Sequence, residues 1–203
     1  MIIVAGNWRC YTSWTARLIA EIGGLCVAHE PFNARWHEPV VDWPVWFGAL
    51  LREKQHLLHR YPGWNEQLDD DDQAVVRELL RAMPEIYGGA DVARLMHLHY
   101  WSLMREVWPG CPVVYCARRL RSWLSAIARV PPAMQVVMGP YPGRPAWPVE
   151  ARRLATGDDG RLPLYVAACY HLTRQRFNLG RLREELGDQF LVIDGEHLSA
   201  QYE

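Results

Sequence analysis

The residues that follow the first apolar run are of types that hold anions. Ile2 to Ala5 reads as a strand, and the chain then runs through Gly6, Asn7, Trp8, Arg9, Cys10, Tyr11 and Thr12 into a helical stretch from Ser13 to Ile22. A helix N-terminus carries backbone N–H groups without intrahelical partners. Trp8 to Ser13 would therefore wrap an anion with main-chain donors, Arg9 would neutralise its charge, and Thr12 and Ser13 would add hydroxyls. The stretch is not an ATPase loop of the Gly-x-x-x-x-Gly-Lys-Ser/Thr kind, because the second glycine and the lysine are missing. No aspartate clearly ends a second strand to hold magnesium either, which argues against metal-assisted nucleotide hydrolysis. Two other clusters carry less. Asp69 to Asp72 suits the positive start of a helix better than a calcium site, and His56 and His59 share a helix face with no further ligand set for zinc.

Elements must position these groups. Short apolar runs at Ile2 to Ala5, Leu25 to Ala28, Ala93 to Met96, Val113 to Ala117 and Phe190 to Ile193 read as buried strands. Between them Ser13 to Ile22, Asp72 to Ala82, His99 to Val107, Arg121 to Arg129 and Leu164 to Leu186 carry helical periodicity. Continuously apolar strands alternating with helices predict a central parallel sheet covered on both faces, an α/β fold of three layers. In such a sheet ligands lie at the carboxyl ends of the strands, which is where the first loop falls. With 203 residues the chain fits one domain, 1–203, interrupted by irregular tryptophan-, proline- and glycine-rich segments at about 32–64 and 130–163. No repeat or linker divides it.

The formal net charge is −1, so nothing global draws the chain to nucleic acid or to an anionic membrane. Any anion site must be local. Lys54 is the only lysine among 22 basic residues, leaving arginine forks, hydroxyls and backbone N–H groups as the donors. Five cysteines, an odd number, without a secretory leader argue against a disulfide scaffold and for the cytoplasm. No run of about 18 apolar residues could cross a bilayer.

Arg9-Cys10-Tyr11-Thr12-Ser13-Trp14 resembles the 5′-phosphosulfate loop of the sulfotransferases: a basic residue, Ser-Gly-Thr-Thr/Ser, then Trp or Leu. Three further segments fall in that family's order. Glu30-Pro31-Phe32-Asn33 resembles a stretch after the second strand of bacterial members. Pro112 to Arg119 resembles the strand that ends in a 3′-phosphate-binding arginine, here Arg118, with Ser125 as its serine partner. Asp188 to Leu198 resembles the late strand followed by Glu-x-Leu. The resemblance implies a P-loop-like fold and a small, bacterial-type sulfotransferase. Its donor would be 3′-phosphoadenosine 5′-phosphosulfate (PAPS), and its product 3′-phosphoadenosine 5′-phosphate (PAP). A donor with two separated anionic groups needs two holders, the first loop (Arg9, Cys10, Tyr11, Thr12, Ser13, Trp14) and Arg118 with Ser125. The donor is already activated, so no metal is required.

Sulfuryl transfer is a charge-spread displacement that asks the protein to position groups, stabilise charge and supply a base. The resemblance places His97 or Glu30 as that base and Arg9 at the developing charge; His99 is a further candidate. A histidine titrates near neutrality, whereas Glu30 would need a raised pKa. The acceptor would be a small hydroxyl- or amine-bearing metabolite, and the tryptophans between Trp36 and Trp64 suit an aromatic or apolar one. Tyr11 departs from the family's glycine, Ala126 stands where many members have the serine, and a glycine-rich basic lid does not follow Glu-x-Leu before Glu203. A compact cofactor site, or the partner of a homodimer, would have to make up for that lid. The same departures support a second reading: a sulfotransferase-like protein that has given up sulfuryl transfer and handles another small anionic ligand.

Overall fold

The computed structural model describes residues 1–7, 9–31, 43–59, 69–95, 101–129 and 164–200. Its strands are β1 (Ile2–Gly6), β2 (Val27–His29), β3 (Val92–Leu95), β4 (Val113–Ala117) and β5 (Phe190–Asp194). The helices among the described residues are α1 (Thr12–Gly23), α2 (Val45–His59), α3 (Asp70–Ile86), α4 (Trp101–Val107), α5 (Leu120–Ala128), α6 (Leu164–Leu186) and α7 (Gly195–Ala200). The strands form one parallel sheet in the order β2-β3-β1-β4-β5, with Ile3 opposite both Ala93 and Val113.

Period-two alternation divides the core into two layers. Ile3, Ala5, Val113 and Tyr115 face one way, where Phe47 and Leu51 of α2, Leu79 and Leu80 of α3, Trp101 of α4 and Leu182 of α6 bury against them. Val4, Val114 and Cys116 face the other way and meet Ala16 of α1 with Trp123 and Ile127 of α5. Helices thus cover both faces of a parallel sheet, the expected three-layer α/β/α arrangement. β1 sits at the centre, and β3 and β4 flank it on opposite sides. Connections therefore diverge around its carboxyl end, the place where open parallel sheets take their ligands.

One segment differs from the sequence reading. The stretch read as irregular from 32 to 64 contains α2, which starts behind Pro44, whose carbonyl accepts from the Phe47 and Gly48 N–H groups. Its driving force is the burial of Phe47 and Leu51, with Trp43 and Trp46 both edge-on to the Phe47 ring at 5.7 Å. The segment at 130–163 lies outside the described residues, as do 32–42 and 60–64. α3 begins as the acidic run predicts: Asp69 caps it by accepting the Asp72 N–H at 2.8 Å, and Asp70 to Asp72 occupy the first turn.

Candidate functional site

The loop joining β1 to α1 leaves the centre of the sheet through a tight passage. At Gly6 a Cβ would lie 2.6 Å from the Cys116 carbonyl oxygen and 2.9 Å from the Thr12 side chain, so only glycine lets β1, β4 and the start of α1 meet there. Beyond it the Cys10 N–H returns to the Asn7 carbonyl, and the first bond of α1 runs from the Thr15 N–H to the Tyr11 carbonyl. Tyr11 is the N-cap of α1 but its side chain caps nothing. The first turn of α1 is left without the side-chain acceptor that serine, threonine or aspartate would bring, at a cost of about 1 kcal/mol.

The loop adopts the backbone that glycine would have allowed. Arg9 has φ 61° and Tyr11 has φ 63°, both left-handed, while Cys10 between them does not. Alternation of this kind turns successive N–H groups toward one concavity, the arrangement that cradles anions. Each non-glycine residue in it costs about 1–2 kcal/mol, so the surroundings must hold it in place.

Those surroundings are Arg118 and Gly195. Arg118, just past β4, donates from Nη1 to the Arg9 carbonyl at 2.7 Å, and its guanidinium lies 4.6 Å from the centre of the Tyr11 ring. Glu196 of α7 faces its Nε at 3.5 Å, and the more exposed Arg119 approaches Asp194 and Glu196 at 3.7 and 3.9 Å. A Cβ on Gly195 would come within 2.6 Å of the Tyr11 Cδ2, so the start of α7 also lies against this ring. The Tyr11 ring thus meets both the turn after β5 and the cation after β4.

Beneath the loop lies a buried ion pair. Arg94 of β3 is 4% exposed, pairs with the Glu30 carboxylate and donates from Nε to Thr12 Oγ1 at 3.0 Å. Glu30 is itself left-handed, φ 49°, and its N–H reaches the Arg94 carbonyl at 3.0 Å. Burial pushes the Arg94 guanidinium down to about 10, which leaves it cationic at neutral pH. Cys116, whose thiol meets Thr15 Oγ1 at 3.4 Å, is pushed up to about 11 by burial and is an unreactive thiol.

The residues predicted from sequence are placed as follows. Arg9 is exposed at the crest of the loop, and Ser13 and Trp14 are half-buried in the first turn of α1. The Cys10 side chain is packed in the core beside Val4, Ala16 and Trp123, and its N–H is bonded to the Asn7 carbonyl. Thr12 is buried, with its hydroxyl turned to Arg94 rather than held in the crest of the loop. Glu30 stands at the carboxyl end of β2, occupied by Arg94. Arg118 lies on the first loop. Ser125 is exposed and donates to the Arg121 carbonyl of its own helix at 3.1 Å. The structure links the first loop to Arg118 directly and to Glu30 through Thr12 and Arg94, at the carboxyl end of the sheet, and spends the Ser125 hydroxyl elsewhere. His97 and His99 lie outside the described residues.

Sequence reasoning passed over Arg94, Asn7 and His171. Arg94 had a signal, since a cation inside the apolar run Val92 to Leu95 has to be paired where it is buried. His171 had none, being one polar residue in a long helix.

Among the described residues no group of three or more His, Cys, Asp or Glu side chains could hold a metal, and no helix is long and apolar enough to cross a membrane. No protein-family model and no curated protein matches the chain. Among solved structures it is similar to a sugar kinase from Janibacter sp. HTCC2649, at 14% identity and TM-score 0.38, covering 64% of this chain and 66% of that one. It is also similar to a gluconokinase from Sinorhizobium meliloti 1021, at 15% identity and TM-score 0.37, covering 95% and 81%. This chain thus spans just under two-thirds of the Janibacter enzyme, and neither neighbour is a sulfotransferase. Likeness at this level carries no argument about activity, so the site must be read from its own groups.

Proposed function

We propose that this chain is a group-transfer enzyme of the sulfotransferase kind, which holds the 5′-phosphosulfate end of PAPS at the loop before α1 and passes the sulfuryl group to a hydroxyl or amine of a small aromatic or apolar metabolite. The observation that carries the reading is the left-handed backbone of Arg9 and Tyr11 at the start of an uncapped helix. Strain held in place by Arg118 and Gly195 makes sense where the loop has a ligand to cradle. PAPS supplies a sulfuryl group already activated by its anhydride link to phosphate, so the protein's task is electrostatic. The first-turn N–H groups of α1 and Arg9 would hold the charge left on the 5′-phosphate, and a side-chain base would take the acceptor's proton. Of the base candidates, Glu30 already neutralises Arg94, which leaves His97 as the favoured base. The compartment in this reading is the cytoplasm.

The left-handed backbone of the first loop supports a 5′-phosphate holder, whereas less supports the second holder: Arg118 is engaged with Arg9, Tyr11 and Glu196, and Ser125 with its own helix. That observation supports a second reading, in which the chain binds or transforms a small anionic ligand without a 3′-phosphate. PAP release during incubation with PAPS and a panel of phenols and amines, without magnesium, tests the first reading. Competition of PAP against AMP at the same site separates the two. PAP binding at least tenfold tighter than AMP supports a held 3′-phosphate, and equal binding supports the second reading.

A further inference from the structure

His171 of α6 is fully buried at the root of the candidate loop. Asn7, the residue that leaves β1, donates from Nδ2 to His171 Nδ1 at 2.9 Å and to the His171 carbonyl at 3.2 Å. An amide nitrogen only donates, so Nδ1 accepts and the ring proton sits on Nε2. Nε2–H then donates to the Arg118 carbonyl at 3.1 Å. One helical turn on, Gln175 accepts the Arg118 N–H at 3.3 Å, so α6 holds both main-chain groups of that residue. Trp123 of α5 stacks on the imidazole, centroids 4.3 Å apart and planes 21° from parallel.

These bonds close a ring. Asn7 holds His171, His171 holds the Arg118 main chain, the Arg118 guanidinium holds the Arg9 carbonyl, and the chain runs back from Arg9 to Asn7. The loop whose strained backbone makes the candidate anion site is thus encircled, and among the described residues its ionisable link on the α6 side is the imidazole. We propose that His171 is the positioning residue of this loop, that it acts only as the neutral Nε2–H tautomer, and that its protonation releases the loop and weakens anion binding there.

The geometry leaves no place for a second ring proton. An Nδ1–H would point at the Asn7 amide, donor against donor. Turning that amide over would offer Oδ1 to the ring but bring it against the His171 carbonyl, acceptor against acceptor, where Nδ2 now sits at 3.2 Å. The charge would also be unwelcome. Among the described residues the charged or titratable groups around the ring are Arg118 after β4, Arg9 and Tyr11 of the loop, and, on the far side of Arg118, Glu196 of α7 with Arg119 exposed beside it; Asn7, Trp123 and Gln175 are neutral. Burial holds the imidazole below the usual histidine range; the hydrogen bond to the Arg118 carbonyl opposes the shift and the Arg118 charge adds to it.

The loop's role as an anion site belongs to the reading above, so the test has one arm that needs no ligand. Side-chain 15N spectra of the unliganded wild-type protein between pH 7.5 and 4.5 report tautomer and titration directly. The expected result is a neutral Nε2–H His171 at pH 7.5 that titrates below the other histidines, with the Asn7, Arg9, Tyr11 and Arg118 amide signals shifting at the same midpoint. An Nδ1–H tautomer, or a titration that leaves those amides in place, overturns the proposal. The second arm measures PAP affinity over the same range in wild type, His171→Gln and His171→Asn. Gln can keep the donor to Arg118 and Asn the acceptor for Asn7, and neither titrates. Wild-type affinity should fall by up to about tenfold per pH unit below the His171 midpoint relative to His171→Gln, the limit for one linked proton. Protonation of the PAP phosphates is common to both and cancels. Parallel profiles overturn the proposal, whereas absence of PAP binding at every pH refutes the functional reading and leaves this inference to the first arm.

Discussion

Replacing Arg94 by methionine removes the cation beneath the loop and takes from the Glu30 carboxylate its buried ion-pair partner. Arg94 is 4% exposed and Glu30 18%, so the pair is largely dehydrated but Glu30 keeps some access to water. Removing one partner of a buried pair costs roughly 3–5 kcal/mol, and partial access puts this case at about 3 kcal/mol. The lost bond to Thr12 Oγ1 is within that figure's spread. With a urea m-value of roughly 2.5 kcal/mol/M for a chain of this size, the midpoint falls by about 1.2 M. Most of the protein stays folded at zero denaturant, since domains hold about 5–15 kcal/mol in reserve. Pairing Arg94→Met with Glu30→Met in a double-mutant cycle should recover about 1.5 kcal/mol or more, because the second change removes the carboxylate that Arg94 had neutralised. A loss under about 1 kcal/mol for Arg94→Met, or strict additivity in the cycle, would refute the placement of this pair and with it the account of what holds Thr12 and Glu30.

Gly195→Ala drives a methyl to within 2.6 Å of the Tyr11 ring and should cost about 1–3 kcal/mol in urea melts while weakening PAP binding; unchanged affinity would detach Tyr11 from the site. Because His171 has its folded pKa below the unfolded value of about 6.5, the unfolded chain takes the proton first. Stability therefore declines as pH falls below 6.5, by at most about 1.4 kcal/mol per pH unit, and the decline should be absent from His171→Gln relative to wild type. Among the four described thiols, exposed Cys26 should be alkylated by iodoacetamide in the folded protein well before buried Cys10, Cys111 and Cys116, and peptide mapping over a time course shows the order.

All five strands were legible because a parallel sheet covered on both sides leaves no polar face, so each strand reads as an apolar run. Their spatial order was not legible, since nothing in a short apolar run names its neighbours. Helix α2 was hidden by the tryptophans and prolines around it, although Phe47 and Leu51 stand one turn apart on its buried side. The loop before α1 was found from residue types alone. What its tyrosine does there was not, because the groups that hold the ring, Arg118 and Gly195, lie more than a hundred residues away. The same distance hid the closure of the ring through Asn7 and His171. Arg118 shows the limit of motif reading: its position at the end of β4 was as expected, while its guanidinium is turned onto the first loop.

Calorimetric titration of the purified protein with PAP, in metal-free buffer at pH 7.5, tests most directly whether the strained loop before α1 is an anion site. Saturable one-to-one binding that Arg9→Ala weakens is the result this account predicts. A folded protein that takes up no PAP, or one that binds it unchanged after Arg9→Ala, would contradict it.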